Sequence, residues 1–462
     1  MSKQSAAGIG ATEALARFTA KLSFSDLPPH VVELAKVCIL DALGSTFLGA
    51  TLPWGKIVIQ YAGAVSGKPE SVVIGGLTKA DAGNAALANG TMAHAFETDD
   101  VLICALHHPG VVVVPAALAI AEREGASGKA FIEAVVAGYE VMNRIGKAIG
   151  TESHIMRGFF PTSTNGTFGA AAAAGRLLHL DVEQHINALG IAGSQSGGLF
   201  EGIKEGVMTK RFGAGKAAQN GVMSAELAKL GFTGSRTVLE GTWGYLKAFS
   251  DKTFPDELVA ALGENFNIME TTFKPYPCCK ALHSAIDGTL YLKAEHAIDV
   301  AEIKDVVVGG YDKLVKMHDI YAPATAMAAQ FSIPYVVATA LLKGVPGVAN
   351  FDDASIHDPE VLALARKVRL VEDAEIAQHF PAHEPSRVTV NLHNGKSHSK
   401  AVICSKGTPD NPMSRQELEA KFTEFASLII PPNQAAKIIE MIWSLETLPD
   451  VRALAALLAS PR

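Results

Sequence analysis

From about residue 10 to 265, apolar residues recur at three- and four-residue spacing, so the first half of the chain predicts one helix after another. In PPHVVELAKVCILDALGSTFLGA, Val32, Leu34, Ala35, Val37, Cys38, Leu40 and Leu43 follow that spacing behind Pro28 and Pro29, which mark the start of a helix. A second stripe of Phe131, Val135, Tyr139, Met142 and Ile145 runs through residues 127 to 148, with Ser127 placed to cap it. The segment TFGAAAAAG at 167 to 175 is built of residues so small that another backbone can approach it, which points to helix packed on helix.

The period changes near residue 270. EIKDVVVGG (302–310) and KVRLVED (367–373) predict strands, and RVTVNLHNGKSHSKAVICS alternates on either side of Asn394-Gly395, a two-residue hairpin signal. Helices are expected near 281–294 and 326–342. After Pro409 and Pro412 the helical pattern resumes, with Ser414 and Glu417 forming a capping box ahead of LEAKFTEFASLI, and IIEMIWSLETL following. A chain of 462 residues exceeds what one hydrophobic core usually organises. The expected fold class is therefore mainly α: a large all-helical domain, discontinuous over 8–268 and 408–460, plus a smaller α/β domain over 269–407.

Composition narrows the function. With 48% apolar and 19% charged residues the chain reads as a soluble globular protein, and a net charge of -7 gives no general attraction to nucleic acid or to an anionic membrane, so neither is an expected partner. MSKQSAAGIGATEALARF lacks an apolar signal core, and apolar runs such as VVVVPAALAIA (111–121) are too short to span a bilayer; a cytoplasmic address is expected. Five cysteines, Cys38, Cys104, Cys278, Cys279 and Cys404, form no secreted disulfide framework and read as reduced thiols. Neither CxxC nor HExxH occurs, and no metal site is expected.

Three stretches concentrate chemistry. ETDDVLICALHHPG (97–110) brings Glu97, Asp99 and Asp100 close in sequence to His108, whose Pro109-Gly110 neighbours fix the backbone before the next helix; a histidine beside carboxylates suits acid–base work near neutral pH. EGVMTKRFGAGKAAQNG (205–221) sets Thr209, Lys210 and Arg211 before a Gly/Ala-rich helical segment, an arrangement that favours a carboxylate or phosphate, though without the phosphate-loop pattern. FKPYPCCKALHSAID (273–287) carries Lys274, Lys280, His283, Cys278 and Cys279 at the expected domain border, a favoured place for a small-molecule pocket. By residue type alone, the same stretches also fit solvated turn carboxylates, a surface lysine and packing cysteines.

Taken together, AKVCILDALGSTFLG, NGTMAHAFETDDVLICALHHPG, FFPTSTNGTFGAAAAAGRLL, GVMTKRFGAGKAAQNG, KPYPCCKALHSAID, AQFSIPYVVATALL and NPMSRQELEAKF resemble the MmgE/PrpD family, in family order and over nearly the whole chain. That family includes 2-methylcitrate dehydratases, cis-aconitate decarboxylases and iminodisuccinate epimerases. The resemblance implies an all-helical domain completed by the C-terminal helices, an α/β lid, an active site in the cleft between them, no organic cofactor, and a homodimer. Its acidic motif falls on His94, Glu97, Asp99, Asp100 and His108, its lysines on Lys210 and Lys274, and a loop tyrosine on Tyr321.

The sequence departs from the family where Glu97 replaces an Asp, Val101 a Thr, Phe160 a His ahead of PTST, and Cys279 a His at the lid border, so a less polar site is expected. The chemistry that the resemblance implies is proton transfer at carbon next to a carboxylate. Lys210 and Lys274 would stabilise developing negative charge, His108 would move the proton while held by Asp99 or Glu97, and His283 or Tyr321 would stand opposite, with the acid and base roles left open. Asp100, Arg211, Cys279, Thr162 and Phe160 would contact the substrate. The expected activity is a lyase, dehydratase or decarboxylase, acting on a small di- or tricarboxylate. An isomerase or epimerase using the same abstraction, and a carboxylate-binding homologue without turnover, are the alternatives.

Overall fold

A computed structural model of the chain describes residues 9–76 and 79–459, and is 60% helical and 8% strand. Residues 8 and 460, at the ends of the expected helical domain, lie outside the described residues. The chain divides into two compact units: one holds the residues up to Ala95, Asp99–Thr271 and those from Arg415 onward, and the other holds Phe96–Thr98 and Thr272–Ser414.

In the first unit, α1 (Pro29–Thr51) begins with Pro29, whose missing N–H costs nothing in a first turn, and it is buried along most of its length. Next come α2 (Ala82–Ala93), capped by Asp81, whose side chain accepts from Asn84 N, and α3 (Gly110–Glu124), ended by Gly125 at φ 64°. In α4 (Gly128–Ala148) the Ser127 hydroxyl accepts from Ala130 N as the N-cap, and the whole stripe from Phe131 to Ile145 is buried. Later in the chain come α5 (Pro161–Leu177) and α6 (Thr209–Lys229). Small residues let these helices approach closely. A Cβ on Gly215 of α6 would lie 2.2 Å from the Leu87 carbonyl and from the Thr91 hydroxyl of α2.

The expectation of continuous helix to residue 265 is too simple. Ser71–Val72 (β1) and Lys79–Ala80 (β2) form an antiparallel pair, pinned by Glu122, which accepts from Val72 N at 2.6 Å, and by Asn89, which bonds to Ile74 N and the Val72 carbonyl. Beyond Leu230 the chain runs through turns and short 3₁₀ segments, with one five-residue helix at Tyr245–Phe249. Gly231, Gly234, Gly241 and Gly244 break the period there.

The second unit is built on a four-stranded sheet. It contains α7 (His283–His296), β3 (Ile303–Gly310), α8 (Ile333–Lys343), β4 (Val368–Glu372), β5 (Ser386–Leu392) and β6 (Ser397–Val402). β3 runs parallel to β4 and antiparallel to β5, pairing Val308 with Val388 and Val306 with Val390; all four valines are buried, as a period of two requires. β5 and β6 join as the hairpin expected at Asn394-Gly395, with Gly395 at φ 85°. The helix expected over 326–342 is two: Ala326–Gln330 ends before Ser332, whose side chain caps α8 by accepting from Tyr335 N.

The chain then returns to the first unit through α9 (Arg415–Ala426) and α10 (Pro432–Trp443). Phe422 of α9 meets Phe47 of α1 edge-on at 6.0 Å, and Lys421 pairs with the buried Asp41 at 2.6 Å.

Candidate active site

His94 is the C-cap of α2, so its side chain leaves the helix at a fixed point. Phe96 and Glu97 then adopt φ values of 58° and 57°, a left-handed conformation that costs a residue with a side chain roughly 1–2 kcal/mol. This double turn precedes Asp99, whose Oδ2 accepts from His94 Nδ1 at 2.7 Å and from His108 Nδ1 at 2.9 Å. The two imidazole centroids are 4.7 Å apart. His108 Nδ1 also lies 2.7 Å from the Asp100 carbonyl, and the His108 backbone N–H donates to Thr162 Oγ1 at 3.3 Å.

Since both Nδ1 atoms face acceptors, both carry hydrogen, and each Nε2 is left as the working nitrogen. His94 Nε2 is buried without a hydrogen-bond partner among the described residues. Burial pulls the His94 pKa down to about 4 against the opposing pull of Asp99, with Lys210 and His108 lowering it further, so His94 is neutral at pH 7. Phe160 adds to that desolvation, stacking on His94 at 5.9 Å and 18°. Asp99 is buried as well, yet the two imidazoles hold its carboxyl well below the usual range.

Asp100 differs from its neighbour. It accepts from Gly110 N at 3.0 Å and from the Tyr139 hydroxyl at 2.7 Å, but burial and the nearby Asp41 push its pKa up to about 8. A Cβ on Gly110 would lie 2.8 Å from Asp100 Oδ1 and 2.9 Å from the Tyr139 hydroxyl, so only glycine fits at the start of α3. His107 turns the other way into the core. Its Nε2 meets Asn143 Oδ1 at 2.9 Å and its Nδ1 meets Asn165 Nδ2 at 3.2 Å; Asn165 in turn accepts from the Tyr245 hydroxyl at 2.9 Å. That network fixes the residue next to His108.

Lys210 and Arg211 lie within the first turn of α6, which starts one residue before them, and not ahead of the helix as expected. Lys210 is buried and close enough to His94 for its charge to act there. The Arg211 guanidinium instead covers the Trp54 ring at 4.1 Å.

The second unit holds its own cluster. Lys274 Nζ pairs with Glu97 Oε2 at 2.9 Å, both buried, while Gln330 donates to the carbonyls of Phe96 and Pro277 at 2.9 Å and so fixes the strained turn. Burial pushes the Cys279 thiol up to about 12, with Glu384 and Glu97 adding to the shift, so Cys279 is no thiolate nucleophile at neutral pH. His283 is fully buried beside the Tyr276 ring at 5.0 Å, with Nε2 3.3 Å from the Cys278 carbonyl. Tyr321 is half-buried, and burial and Asp319 raise its hydroxyl to about 12.

Family models match both parts of the chain. Residues 13–257 match the MmgE/PrpD N-terminal domain and residues 276–447 the MmgE/PrpD C-terminal domain. The chain belongs to the MmgE/PrpD family. It is 29% identical to a cis-aconitate decarboxylase of Aspergillus terreus, with 100% of this chain and 99% of that one covered. A cis-aconitate decarboxylase-like protein of Aspergillus oryzae is 30% identical over 97% of each chain. A 2-methylcitrate dehydratase of Cupriavidus necator is 24% identical, over 49% of each.

Among MmgE/PrpD features, charge and spacing alone pointed to Asp99, Asp100 and His108 but passed over His94, which stands outside the acidic run; only the family motif included it. Tyr139 gave no signal as a site neighbour because on α4 it read as a core position, and Asp41 gave none because it lies outside the apolar stripe of α1 and far in sequence from the acidic run.

Proposed function

We propose that this MmgE/PrpD protein is a carboxy-lyase, removing carbon dioxide from a small unsaturated tricarboxylate of the cis-aconitate class. The observation that carries this reading is the shared Asp99 oxygen, which turns two imidazoles so that each keeps Nε2 for a reacting group. The similarity to cis-aconitate decarboxylases over nearly the full length supports it, where similarity to the dehydratase extends over half the chain.

In the reaction, the bond from the allylic carbon to its carboxylate breaks and releases carbon dioxide. The freed electron pair forms a new double bond, and the pair of the old double bond takes a proton at the far carbon. His108 delivers that proton from Nε2 in its imidazolium form, which Asp99 stabilises from the Nδ1 side. Lys210 holds a remaining carboxylate and spreads the developing charge, and His94, neutral at pH 7, adds no competing positive charge beside it. The apolar Phe160 keeps water from the imidazoles.

Incubating the purified chain separately with cis-aconitate and 2-methylcitrate, and following carbon dioxide release and product spectra, tests the proposal. Carbon dioxide from cis-aconitate is the expected result. Loss of water from 2-methylcitrate without carbon dioxide from cis-aconitate would overturn it in favour of a dehydratase, and solvent exchange alone would favour an isomerase. We also propose a homodimer, as the family resemblance implies, and a cytoplasmic address. Light scattering at twice the chain mass is the matching observation.

A further inference from the structure

We infer that the second unit carries a binding site for a zinc-class divalent cation, formed by His383, Cys404 and Asp410. His383 Nδ1 lies 3.5 Å from Cys404 Sγ, Asp410 Oδ2 lies 4.0 Å from that sulfur, and Asp410 Oδ2 lies 4.0 Å from His383 Nδ1. A tetrahedral ion bonded at about 2.0–2.3 Å to nitrogen, oxygen and sulfur sets its ligand atoms roughly 3.3–3.6 Å apart. The sulfur–nitrogen side already fits, and the two sides to Asp410 need shortening by roughly 0.5–0.7 Å around a central ion.

The same three residue types also make catalytic triads, and the geometry separates the two possibilities. In a triad the thiol and the carboxylate meet opposite nitrogens of the imidazole, one as nucleophile and one as orienter. Here sulfur and carboxylate both approach Nδ1. Three donor atoms facing one another around a single point is what a cation requires.

The backbone that presents two of the ligands is held in place. Asn411 Nδ2 donates to the Cys404 carbonyl at 3.2 Å, Gly407 N to the Asn411 carbonyl at 2.8 Å, and Lys406 N to Asp287 Oδ2 at 2.6 Å. Gly407 sits at φ 89°, and a Cβ there would lie 2.0 Å from the Phe273 carbonyl. Cys404 and His383 are half-buried, and Asp410 is exposed and free to swing inward. Three protein ligands leave a fourth position for water, and the mixed sulfur, nitrogen and oxygen set suits zinc or cadmium over magnesium or calcium. On binding, the thiol gives up its proton to solvent as the sulfur–metal bond forms, so affinity rises with pH. The ion would tie the turn after β6 to the segment ahead of β5.

Cadmium titration of the full-length chain, followed by thiolate-to-metal charge-transfer absorption, tests the site. One equivalent should give the band. Cys404→Ser should abolish it, and His383→Ala and Asp410→Asn should weaken binding about tenfold or more, while Cys104→Ser, at an exposed thiol elsewhere, leaves it unchanged. The His94–Asp99–His108 cluster has no sulfur and cannot give the band. A band that survives Cys404→Ser, no band in the unmodified chain, or unchanged affinity in both His383→Ala and Asp410→Asn would each overturn the inference.

Discussion

Asp99 holds its charge in a buried place because two imidazole N–H groups point at one of its oxygens. Taking that charge away should leave the packing intact and release both rings from their orientation. Asp99→Asn is therefore expected to lower kcat by about 10²–10⁴, with an unchanged circular dichroism spectrum as the check on folding. Asp100 supplies a second expectation, in pH. Its folded pKa of about 8 lies above the unfolded value, so it contributes stability at low pH that is lost as pH rises from about 4 through 8. Asp100→Asn removes this slope. The stability of the wild type relative to the variant should fall by up to about 1.4 kcal/mol per pH unit across that window, read from urea midpoints. The sequence made Glu97, Asp99 and Asp100 conspicuous, but it left open which of Glu97 and Asp99 meets His108. Two consecutive left-handed residues, Phe96 and Glu97, send Glu97 to Lys274 and precede the return of Asp99 to the imidazoles, and neither residue type advertises that conformation.

At the level of elements, periodicity and caps were the most legible features. The stripe of α4, the Ser127 cap, the proline start of α1 and the hairpin at Asn394-Gly395 all obey local rules that tertiary packing did not override. The β1–β2 pair was not legible, since its two-residue strands owe their place to Glu122 and Asn89, distant in sequence. Nor was the crossing of α2 and α6 legible, since the small residues that signalled close approach were those at 167–175, on α5. That crossing gives a sharp expectation. Gly215→Ala would set a methyl group 2.2 Å from the Leu87 carbonyl, forcing the helices apart at a cost of about 1–3 kcal/mol or more. Because Lys210 lies on α6, activity should fall along with the denaturation midpoint.

For the molecule as a whole, the mainly α class with a smaller α/β part was legible from the change of period near residue 270, while the burial of so many histidines was not. Burial lowers His94 and His154 to about 4 and His107 and His185 to about 3. The unfolded chain takes up these protons below pH 6.5 and the folded chain does not, so this contribution to stability is present above 6.5 and is lost as pH falls toward 4. His185 Nε2 has no hydrogen-bond partner among the described residues, so His185→Gln should flatten that acid slope by up to about 1.4 kcal/mol per pH unit. The proton that His108 is proposed to deliver can itself be tracked. With cis-aconitate in deuterated water, the unmodified chain should release carbon dioxide and place one deuterium on the carbon opposite the new double bond, and His108→Asn should form product at least a hundredfold more slowly. Wild-type turnover by His108→Asn, with the same deuterium in the product, would contradict the role given to the Asp99-held imidazole.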